Sequence, residues 1–296
     1  MNIVLSSDEN YAPYLAVSIL SVLEHNHNVH FYILDLGISN ISKDRIINLV
    51  NDNNANIDFI LVKEEDFLAF PKTIKHISIA TYARLKLDEY LPNLDKILYL
   101  DVDTLTTNSL SELWNIDLSD FSIGACYDSF IETNGYKLTI GLSEHHHYFN
   151  AGVLLINMYK FKNSNVYHSA LQYLEKYQDI KYQDQDIMNF IFKDDVIFIN
   201  PKYNFMPTLK NKIRNKVALS ELERLSTPIS IIHYCSEVKA WHKKCSHTNS
   251  NLFLTLFNSI KNKPSSWIGK VEKVSCLKKI SRIRKDMRNK IIYGIK

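Results

Sequence analysis

The chain has 296 residues, 46% hydrophobic and 23% charged, with a net charge of +3, so it can bury a full globular core and is not composed like a disordered or fibrous protein. No apolar run reaches the ~18 residues that a membrane-spanning helix requires, and the first residues lack the basic start of a signal peptide, so we expect neither feature. The four cysteines show no C-x-x-C spacing, which gives no support to zinc-ribbon or thioredoxin-type sites. We expect reduced thiols in a cytoplasmic protein.

Short apolar runs alternate with amphipathic segments through the first hundred residues. The runs have the composition of strands, and the segments between them repeat apolar residues every three or four positions, as helices do. This alternation favours an α/β fold, a parallel sheet with helices on both faces. The predicted strands are 3–5, 31–35, 57–62 and 97–100, and the predicted helices are 12–24, one through 46–50 that Ser39 or Ser42 can cap, and 77–91.

The second half of the chain is less regular but continues the same fold class. We place one boundary near Pro264, which separates residues 1–264 from a basic segment, residues 265–296. The predicted strands are 123–127, 152–157, 196–199 and 229–234, the predicted helices are 164–177 and 185–192, and residues 200–211 are predicted to form a polar loop.

Two carboxylates follow a predicted strand in Leu98-Tyr-Leu-Asp-Val-Asp103. Ligands of open α/β sheets lie beyond the carboxyl ends of the strands, and a hard cation that carries a diphosphate needs few protein carboxylates. Residues two apart in an extended chain point to opposite sides, so Asp101 and Asp103 can share an ion only if the chain bends or if water bridges one of them. The competing interpretation is a strand that stops at turn-forming aspartates, and Asp184-Gln-Asp186 shows that the pattern is easily matched.

The usual glycine-rich phosphate loops are missing. The chain has only seven glycines, and neither G-x-G-x-x-G, a P-loop nor a G-x-S-x-G elbow occurs. A sheet that binds a nucleotide without such a loop needs another way to hold phosphate charge. A metal ion on Asp101 and Asp103 would supply it.

Seven segments in order along the chain resemble glycosyltransferase family 8, and within it the bacterial lipooligosaccharide α-1,4-galactosyltransferases. The resemblance implies a GT-A fold, a mostly parallel central sheet flanked by helices, and a metal-dependent, retaining transfer from a nucleotide sugar. Each segment alone is a weak signal, but seven in order argue against chance. The segments are Ile3-Val-Leu-Ser-Ser-Asp-Glu-Asn-Tyr11, His76-Ile-Ser-Ile-Ala-Thr-Tyr-Ala-Arg84, Leu98-Tyr-Leu-Asp-Val-Asp103, Tyr148-Phe-Asn-Ala-Gly-Val-Leu-Leu-Ile-Asn157, Tyr182-Gln-Asp-Gln-Asp-Ile187, Asn204-Phe-Met-Pro-Thr208 and His233-Tyr-Cys-Ser-Glu-Val-Lys-Ala-Trp241.

By this resemblance the metal ligands are Asp101, Asp103 and His233. We expect Mn²⁺, with Mg²⁺ as the alternative, because imidazole is a poorer ligand for Mg²⁺. For His233 the competing interpretation is a structural histidine at a strand end. The ring of Tyr11 can stack on uracil, and the competing interpretation of the segment around it is an ordinary polar turn. Lys239 can reach the diphosphate, and the competing interpretation is an exposed surface lysine. The residues implied at the nucleotide are Asp8, Asn10, Tyr11, Val102 and Lys239.

The same resemblance implies the residues of the sugar pocket. A retaining transfer needs a covalent intermediate or same-face attack, and a neutral amide is a poor nucleophile. We therefore favour same-face attack supported by Gln185, with Asp184 or Asp186 as nucleophile in the alternative mechanism. For Arg84 the competing interpretation is a surface ion pair with Asp88. The implied donor-sugar residues are Arg84, Asn150, Ala151, Gly152, Asp184 and Gln185, and the acceptor-side residues are His76, Tyr182, Pro207 and Thr208.

One segment departs from the family pattern. After His233-Tyr-Cys the family carries Gly-Pro, whereas this chain has Ser236 and Glu237. The change removes a permissive glycine beside the phosphates and adds an acid. We expect the local backbone geometry to differ there.

The end of the chain is strongly basic. Residues 270–296 hold ten Lys or Arg against two acids, a local charge of +8. Because the net charge of the whole chain is +3, residues 1–269 carry a charge of −5. Apolar residues recur there every three or four positions, and such a basic amphipathic helix beside Trp267 is typical of a contact with anionic lipid. It would hold the protein on the inner face of the cytoplasmic membrane. The alternatives are a helix docked on the body or a nucleic-acid contact, and we expect no nucleic-acid partner.

The sequence thus predicts a hexosyltransferase that moves galactose from UDP-galactose to a terminal galactose or lactose unit of lipooligosaccharide. One alternative is a UDP-glucose donor, because the two sugars differ only in the orientation of one hydroxyl. The other is a non-catalytic carbohydrate- or lipid-binding protein, which loss of the metal ligands would indicate. All three ligands are present.

Overall fold

The computed structural model describes residues 1–71, 79–206, 220–221, 223–245, 247, 249–272 and 276–293. The strands of this part are β1 (Asn2–Ser7), β2 (His30–Asp35), β3 (Asn56–Leu61), β4 (Lys96–Leu100), β5 (Thr104–Thr106), β6 (Ile123–Tyr127), β7 (Phe149–Asn157), β8 (Val196–Phe198) and β9 (Ile231–His233). Seven of them form one sheet in the order β3-β2-β1-β4-β7-β6-β8, and β5 pairs with β9. Only β7 runs antiparallel to the rest of the sheet, which confirms the predicted mostly parallel sheet.

Helices cover both faces of the sheet, as predicted. Those of the described part are α1 (Ala12–Leu23), α2 (Asn40–Asn51), α3 (Leu87–Tyr90), α4 (Ser111–Trp114), α5 (Met158–Asn163), α6 (Val166–Lys176), α7 (Asp184–Ile191), α8 (Ser250–Ser259) and α9 (Cys276–Tyr293). Side chains alternate along β1, so Ile3 and Leu5 join the apolar layer under α1, α2 and α8, and Val4 joins the layer under α3, α5, α6 and α7. The sheet is therefore buried on both sides, which explains the nearly continuous apolar runs of its central strands.

The predicted helix over 77–91 has a different winding. Residues Ile79–Lys86 form tight 3₁₀ turns, and only Leu87–Tyr90 continue as an α-helix. Within the 3₁₀ stretch, Arg84 is held by ion pairs to Asp101 and Asp184 of other segments. These contacts, rather than the apolar spacing, fix the local backbone.

The chain bends directly after β4. Thr104 N and Oγ1 both donate to Asp101 O, at 3.1 and 2.7 Å, and close a tight turn. The chain then enters β5, in which Thr104 lies opposite His233 of β9. This is the bend that Asp101 and Asp103 require to serve one ligand, and the β5–β9 pairing brings a histidine beside them.

Residues 265–272 pack on the body of the protein. Trp267 is fully buried and its Nε1 donates to Ser42 Oγ at 2.9 Å, while Tyr14 OH donates to Lys270 O at 3.0 Å. Trp267 is thus a core residue and not part of a lipid-contact surface. Among the described residues no helix combines the length and the apolar composition needed to cross a bilayer.

Candidate active site

A cavity of about 750 Å³ opens at the carboxyl ends of β1 and β4, the edge at which α/β sheets bind ligands. It brings most of the predicted site residues together. Three of the predicted acceptor-side residues, His76, Pro207 and Thr208, lie outside the described residues. The predicted residues in the cavity wall are Asp8, Tyr11, Arg84, Asp101, Val102, Asp103, Asn150, Ala151, Gly152, Tyr182, Asp184, Gln185, His233 and Lys239.

Asp101, Asp103 and His233 converge in this cavity. One ligand atom from each lies within 4.8 Å of the other two, and the described residues contain no other group of three or more such ligands. His233 Nε2 is 3.7 Å from Asp101 Oδ2 and 3.2 Å from Asp103 Oδ1. Asp103 Oδ1 is buried, and it accepts no hydrogen bond from the part of the chain that the structure describes. A buried carboxylate oxygen in this state calls for a bound cation or water.

Hydrogen bonds behind His233 fix which ring nitrogen faces the carboxylates. Nδ1 lies 3.0 Å from Asn204 Oδ1, and Asn204 Nδ2 in turn donates to Asn150 Oδ1 at 2.9 Å. Because an amide oxygen only accepts, Nδ1 carries a proton and a neutral ring presents the lone pair of Nε2 to Asp103. Two lone pairs at 3.2 Å repel each other unless a cation or a proton lies between them. The three side chains therefore fit a divalent metal ion.

Lys239 places its ammonium group against the same cluster. Nζ donates to Asp103 Oδ2 at 2.6 Å and to Tyr234 O at 3.1 Å. Burial on its own would raise the pKa of Asp103, but the ammonium charge and hydrogen bond of Lys239, together with the adjacent imidazole of His233, outweigh it and hold that pKa well below its usual value. Asp103 is therefore ionised, as a metal ligand must be.

Arg84 is buried and links Asp101 to Asp184, one of the predicted sugar-pocket residues. Nη2 donates to Asp101 Oδ1 at 2.7 Å, and Nε lies 2.9 Å from Asp184 Oδ2. Asp184 also accepts a hydrogen bond from the Thr81 hydroxyl. Burial raises the pKa of Asp184 to about 6, although Arg84 opposes the rise. Arg84 thus orients two carboxylates of the cavity instead of pairing with Asp88.

Gln185 has its amide oriented by three neighbours. Oε1 accepts from Ala151 N at 3.0 Å, while Nε2 lies 3.3 Å from Asp128 Oδ2 and 3.3 Å from Tyr148 OH. An amide held on both sides cannot rotate freely, so its oxygen has a fixed direction. Gln185 is the only glutamine among the described residues of the cavity wall.

Asp186 does not line the cavity. Its buried carboxylate accepts hydrogen bonds from the hydroxyls of Tyr136 and Tyr148, both at 2.5 Å, and from the backbone N–H groups of Lys181 and Tyr182, at 3.0 and 2.8 Å. A carboxylate with this many donors has no lone pair directed at a substrate. The structure corrects its place among the catalytic candidates: Asp186 holds neighbouring segments together.

The loop after β1 contributes Asp8 and Tyr11 to the cavity wall. Asp8 Oδ1 accepts from Tyr11 N at 3.1 Å, and the Tyr11 ring packs edge-on against Tyr14 and Trp241, with centroids 5.6 and 6.2 Å apart. Asn10 does not line the cavity: it is exposed and accepts a hydrogen bond from Lys270 Nζ at 3.2 Å. Its predicted contact with the nucleotide stays a prediction.

Comparison with known proteins decides the family. The sequence model of glycosyl transferase family 8 matches residues 2–245. The chain belongs to glycosyltransferase family 8. The predicted family, fold and enzyme class are thereby confirmed.

The relatives of this family 8 chain include proteins named as glycosyltransferases. A putative glycosyltransferase of Haemophilus influenzae is 48% identical and covers 98% of this chain and 88% of its own length. A lipopolysaccharide 1,2-glucosyltransferase of Escherichia coli K12 is 28% identical over 82% of this chain and 73% of its own length. The galactosyltransferase LgtC, crystallised with donor and acceptor sugar analogs, superposes with a TM-score of 0.87 at 40% identity, over 91% of this chain and 100% of LgtC. LgtC has also been solved as an active-site mutant in which glutamine is replaced by glutamate.

The departure from the family 8 pattern lies on the cavity wall. Ser236 and Glu237 both line the cavity, and Ser236 Oγ donates to Val238 O at 3.2 Å. The Ser236 hydroxyl thus stabilises its own turn, and Glu237 adds a carboxylate to a wall that already holds several acids.

The cavity wall of this family 8 member also contains residues that the sequence did not single out. Asp128 follows β6 directly, as Asp101 follows β4, so the rule that identified Asp101 could have found it. No comparable signal marks Phe130, a half-exposed aromatic side chain in a loop. The other such residues include Thr81, Ser129, Met206 and Cys235.

Proposed function

We propose that this chain is a retaining galactosyltransferase that moves galactose from UDP-galactose to a terminal galactose or lactose unit of lipooligosaccharide. The observation that carries the proposal is the convergence of Asp101, Asp103 and His233 in one cavity with the predicted sugar-pocket residues. The likeness to the galactosyltransferase LgtC, at 40% identity, supports galactose more strongly than the 28% identity to a glucosyltransferase supports glucose.

We assign the metal site to Mn²⁺. Two carboxylates and one imidazole form a mixed oxygen and nitrogen set, which suits Mn²⁺ better than Mg²⁺. Bound there, the cation would offset the charge of the leaving diphosphate. Lys239, which contacts Asp103 at 2.6 Å, lies close enough to the cluster to contribute its charge to the same phosphates.

We assign the chemistry to same-face attack. The bond between the anomeric carbon and the diphosphate oxygen breaks, the acceptor hydroxyl oxygen bonds to that carbon from the same side, and its proton passes to the leaving phosphate. Gln185 contributes an oriented amide oxygen that can stabilise a positively charged sugar ring. The contacts of Asp184 with Arg84 and Thr81 leave it suited to holding sugar hydroxyls rather than to nucleophilic attack.

Release of UDP from a panel of donors tests the proposal. With Mn²⁺, we expect release from UDP-galactose that rises several-fold when lactose is added, because transfer to the acceptor frees the nucleotide faster than hydrolysis of the donor by water does. UDP-glucose and the N-acetyl sugars serve as matched donors. Turnover of UDP-glucose alone would contradict the assignment of galactose as the donor sugar and would favour the glucosyltransferase alternative. No release from any donor, together with no UDP binding by calorimetry, would favour the non-catalytic alternative.

We further propose that residues 1–264 form the catalytic domain and that α9, within residues 265–296, holds it on the anionic inner face of the cytoplasmic membrane. Arg282 of α9 is buried and donates to Cys245 O at 2.8 Å and to His242 O at 2.9 Å, which fastens one side of the helix to the body. Leu277 and Met287, 82% and 60% exposed, lie on the other side with Ile280 and Ile283. A basic helix with an exposed apolar side matches a lipid-surface contact.

Removal of residues 273–296 should weaken binding to vesicles that contain anionic lipid by more than about tenfold, because each Lys or Arg near the surface is worth ~1 kcal/mol. The truncated chain keeps Trp267 and Lys270 and should still transfer sugar to soluble lactose. A Leu277→Ser/Met287→Ser variant should also bind more weakly, whereas Ile268→Ser, an exposed apolar position outside α9, should not. Vesicle binding that survives the truncation would contradict the membrane role.

A further inference from the structure

A second cavity, of about 390 Å³, lies beside the first and has no role in the proposed reaction. It is lined by Asn134, Gly135, Tyr136, Thr139, Lys181 and Tyr182. Tyr182 lines both cavities, so one side chain is shared between them. A volume in this range is typical of small-ligand sites, which span roughly 300–1,000 Å³.

The walls of the second cavity are held in fixed positions by Asp186. This buried carboxylate accepts from the Tyr136 hydroxyl on one wall and from the backbone N–H groups of Lys181 and Tyr182 on the other. Lys181 N is also 2.7 Å from Tyr136 OH. Burying an acid costs free energy unless it is fully hydrogen-bonded, and here the bonds join the two walls. These hydrogen bonds therefore fix the two walls of the cavity relative to each other.

The lining has the chemistry that binds a sugar. The Tyr136 and Tyr182 rings meet edge to face, with centroids 5.4 Å apart, and the Lys181 ammonium lies 4.9 Å from the Tyr136 ring centroid. Aromatic faces pack against the apolar C–H face of a hexose, while Lys181 and Thr139 offer polar groups to its hydroxyls.

Gly135 lies at the exposed rim of this cavity. Its backbone has φ +73°, a left-handed conformation that favours glycine, and no atom lies within 4 Å of the place where a Cβ would be. A larger side chain at this position would take up space beside the aromatic walls.

We propose that the second cavity binds an inner sugar unit of the acceptor oligosaccharide, on the side remote from the hydroxyl that is glycosylated. The inference rests on the proposed function and on the sequence prediction that Tyr182 is on the acceptor side. Because Tyr182 lines both cavities, an oligosaccharide that extends past Tyr182 from the main cavity would reach the second one. The protein then recognises the oligosaccharide that precedes the terminal residue, and not that residue alone.

The test compares lactose with a tetrasaccharide that carries lactose at its non-reducing end. In the unmodified protein the kcat/KM for the tetrasaccharide should exceed that for lactose by about tenfold, since one hydrogen bond to a charged group is worth that much. Lys181→Ala and Gly135→Asn should each bring the ratio of the two kcat/KM values close to one. Binding of the tetrasaccharide to the UDP-loaded protein, measured by calorimetry, should weaken in parallel.

Matched controls exist for both substitutions. Lys193 lies 4.8 Å from the Phe190 ring centroid, the same kind of contact, but lines neither cavity, so Lys193→Ala should keep the ratio. Gly37 has φ +88° and open space at its Cβ position, so Gly37→Asn carries the same backbone strain away from the site. A ratio near one in the unmodified protein would overturn the second subsite while leaving the galactosyltransferase proposal intact. An absence of transfer to both acceptors would instead defeat the proposed function, and this subsite with it.

Discussion

Asp103→Asn is expected to lower kcat/KM for sugar transfer by more than about a hundredfold. Replacing a residue that only hydrogen-bonds to a metal ligand already lowers metal affinity or activity by ~10–100-fold, and Asp103 is proposed as a ligand itself. Asparagine keeps the shape of the side chain but removes the negative charge that faces His233 Nε2 and Lys239 Nζ. The affinity for Mn²⁺, measured by the electron paramagnetic resonance signal of the free ion with UDP present, should fall in the same variant. Lys239 would lose its ion-pair partner in a buried position, so a lower melting temperature is also expected.

The control for this experiment is Asp58→Asn. Asp58 is largely exposed on β3 and pairs with His30 at 2.7 Å, and exposed pairs of this kind contribute at most ~1 kcal/mol. Its replacement should leave both Mn²⁺ affinity and turnover unchanged. If Asp103→Asn bound Mn²⁺ as tightly as the unmodified protein and turned over normally, the assignment of the metal site would be wrong.

Gly152→Ala should produce a loss of comparable size through sterics alone. A Cβ at this position would lie 2.2 Å from His233 Cε1 and 2.8 Å from Asp101 Oδ2, closer than atoms can approach. Gly152 is in β7, whose backbone is fixed because Gly152 O accepts from Asp101 N at 2.9 Å. The strand cannot retreat, so His233 and Asp101 must move out of ligand geometry. Both Mn²⁺ affinity and kcat should fall together.

Gly124→Ala is the matched control, because Gly124 lies in β6, the strand beside β7. A Cβ there would meet only side-chain carbon atoms, at 3.4 to 3.6 Å, which is ordinary contact. A small change in melting temperature with unaltered Mn²⁺ binding is expected. Normal turnover of Gly152→Ala would show that His233 does not have to occupy its present position.

The sequence alone identified only part of the proposed metal site. Asp101 and Asp103 follow from the rule that ligands lie beyond strand ends, and the required bend is supplied by the hydrogen bonds of Thr104. His233 lies 130 residues after Asp103 and reaches it through the β5–β9 pairing, a contact that no local pattern encodes. The end of the predicted strand 229–234 marked His233 as a potential ligand, but only the resemblance to family 8 joined it to Asp101 and Asp103.

Asp184 and Asp186 illustrate a second limit. Residues two apart on a helix point about 200° away from each other, so α7 can direct only one of the two carboxylates into the cavity. The sequence predicted the helix correctly but did not show which side of it faces the ligand. That choice depends on Tyr136 and Tyr148, which come from distant segments and bind Asp186 from behind. The winding around Arg84 was missed for the same reason, because distant ion pairs decide it.

The ion pairs of the metal cluster have a consequence for its thermodynamics. Arg84 contacts Asp101 and Lys239 contacts Asp103, so each carboxylate has a counter-ion that the chain itself supplies. Chelation of a bound cation would leave a neutralised site behind, not two bare charges that repel. A dication that entered alone would bring surplus positive charge, and a diphosphate would remove that surplus. Under the proposed function, affinity for the cation and affinity for the nucleotide sugar would therefore be reciprocally linked, and each ligand would raise the affinity for the other by the same factor.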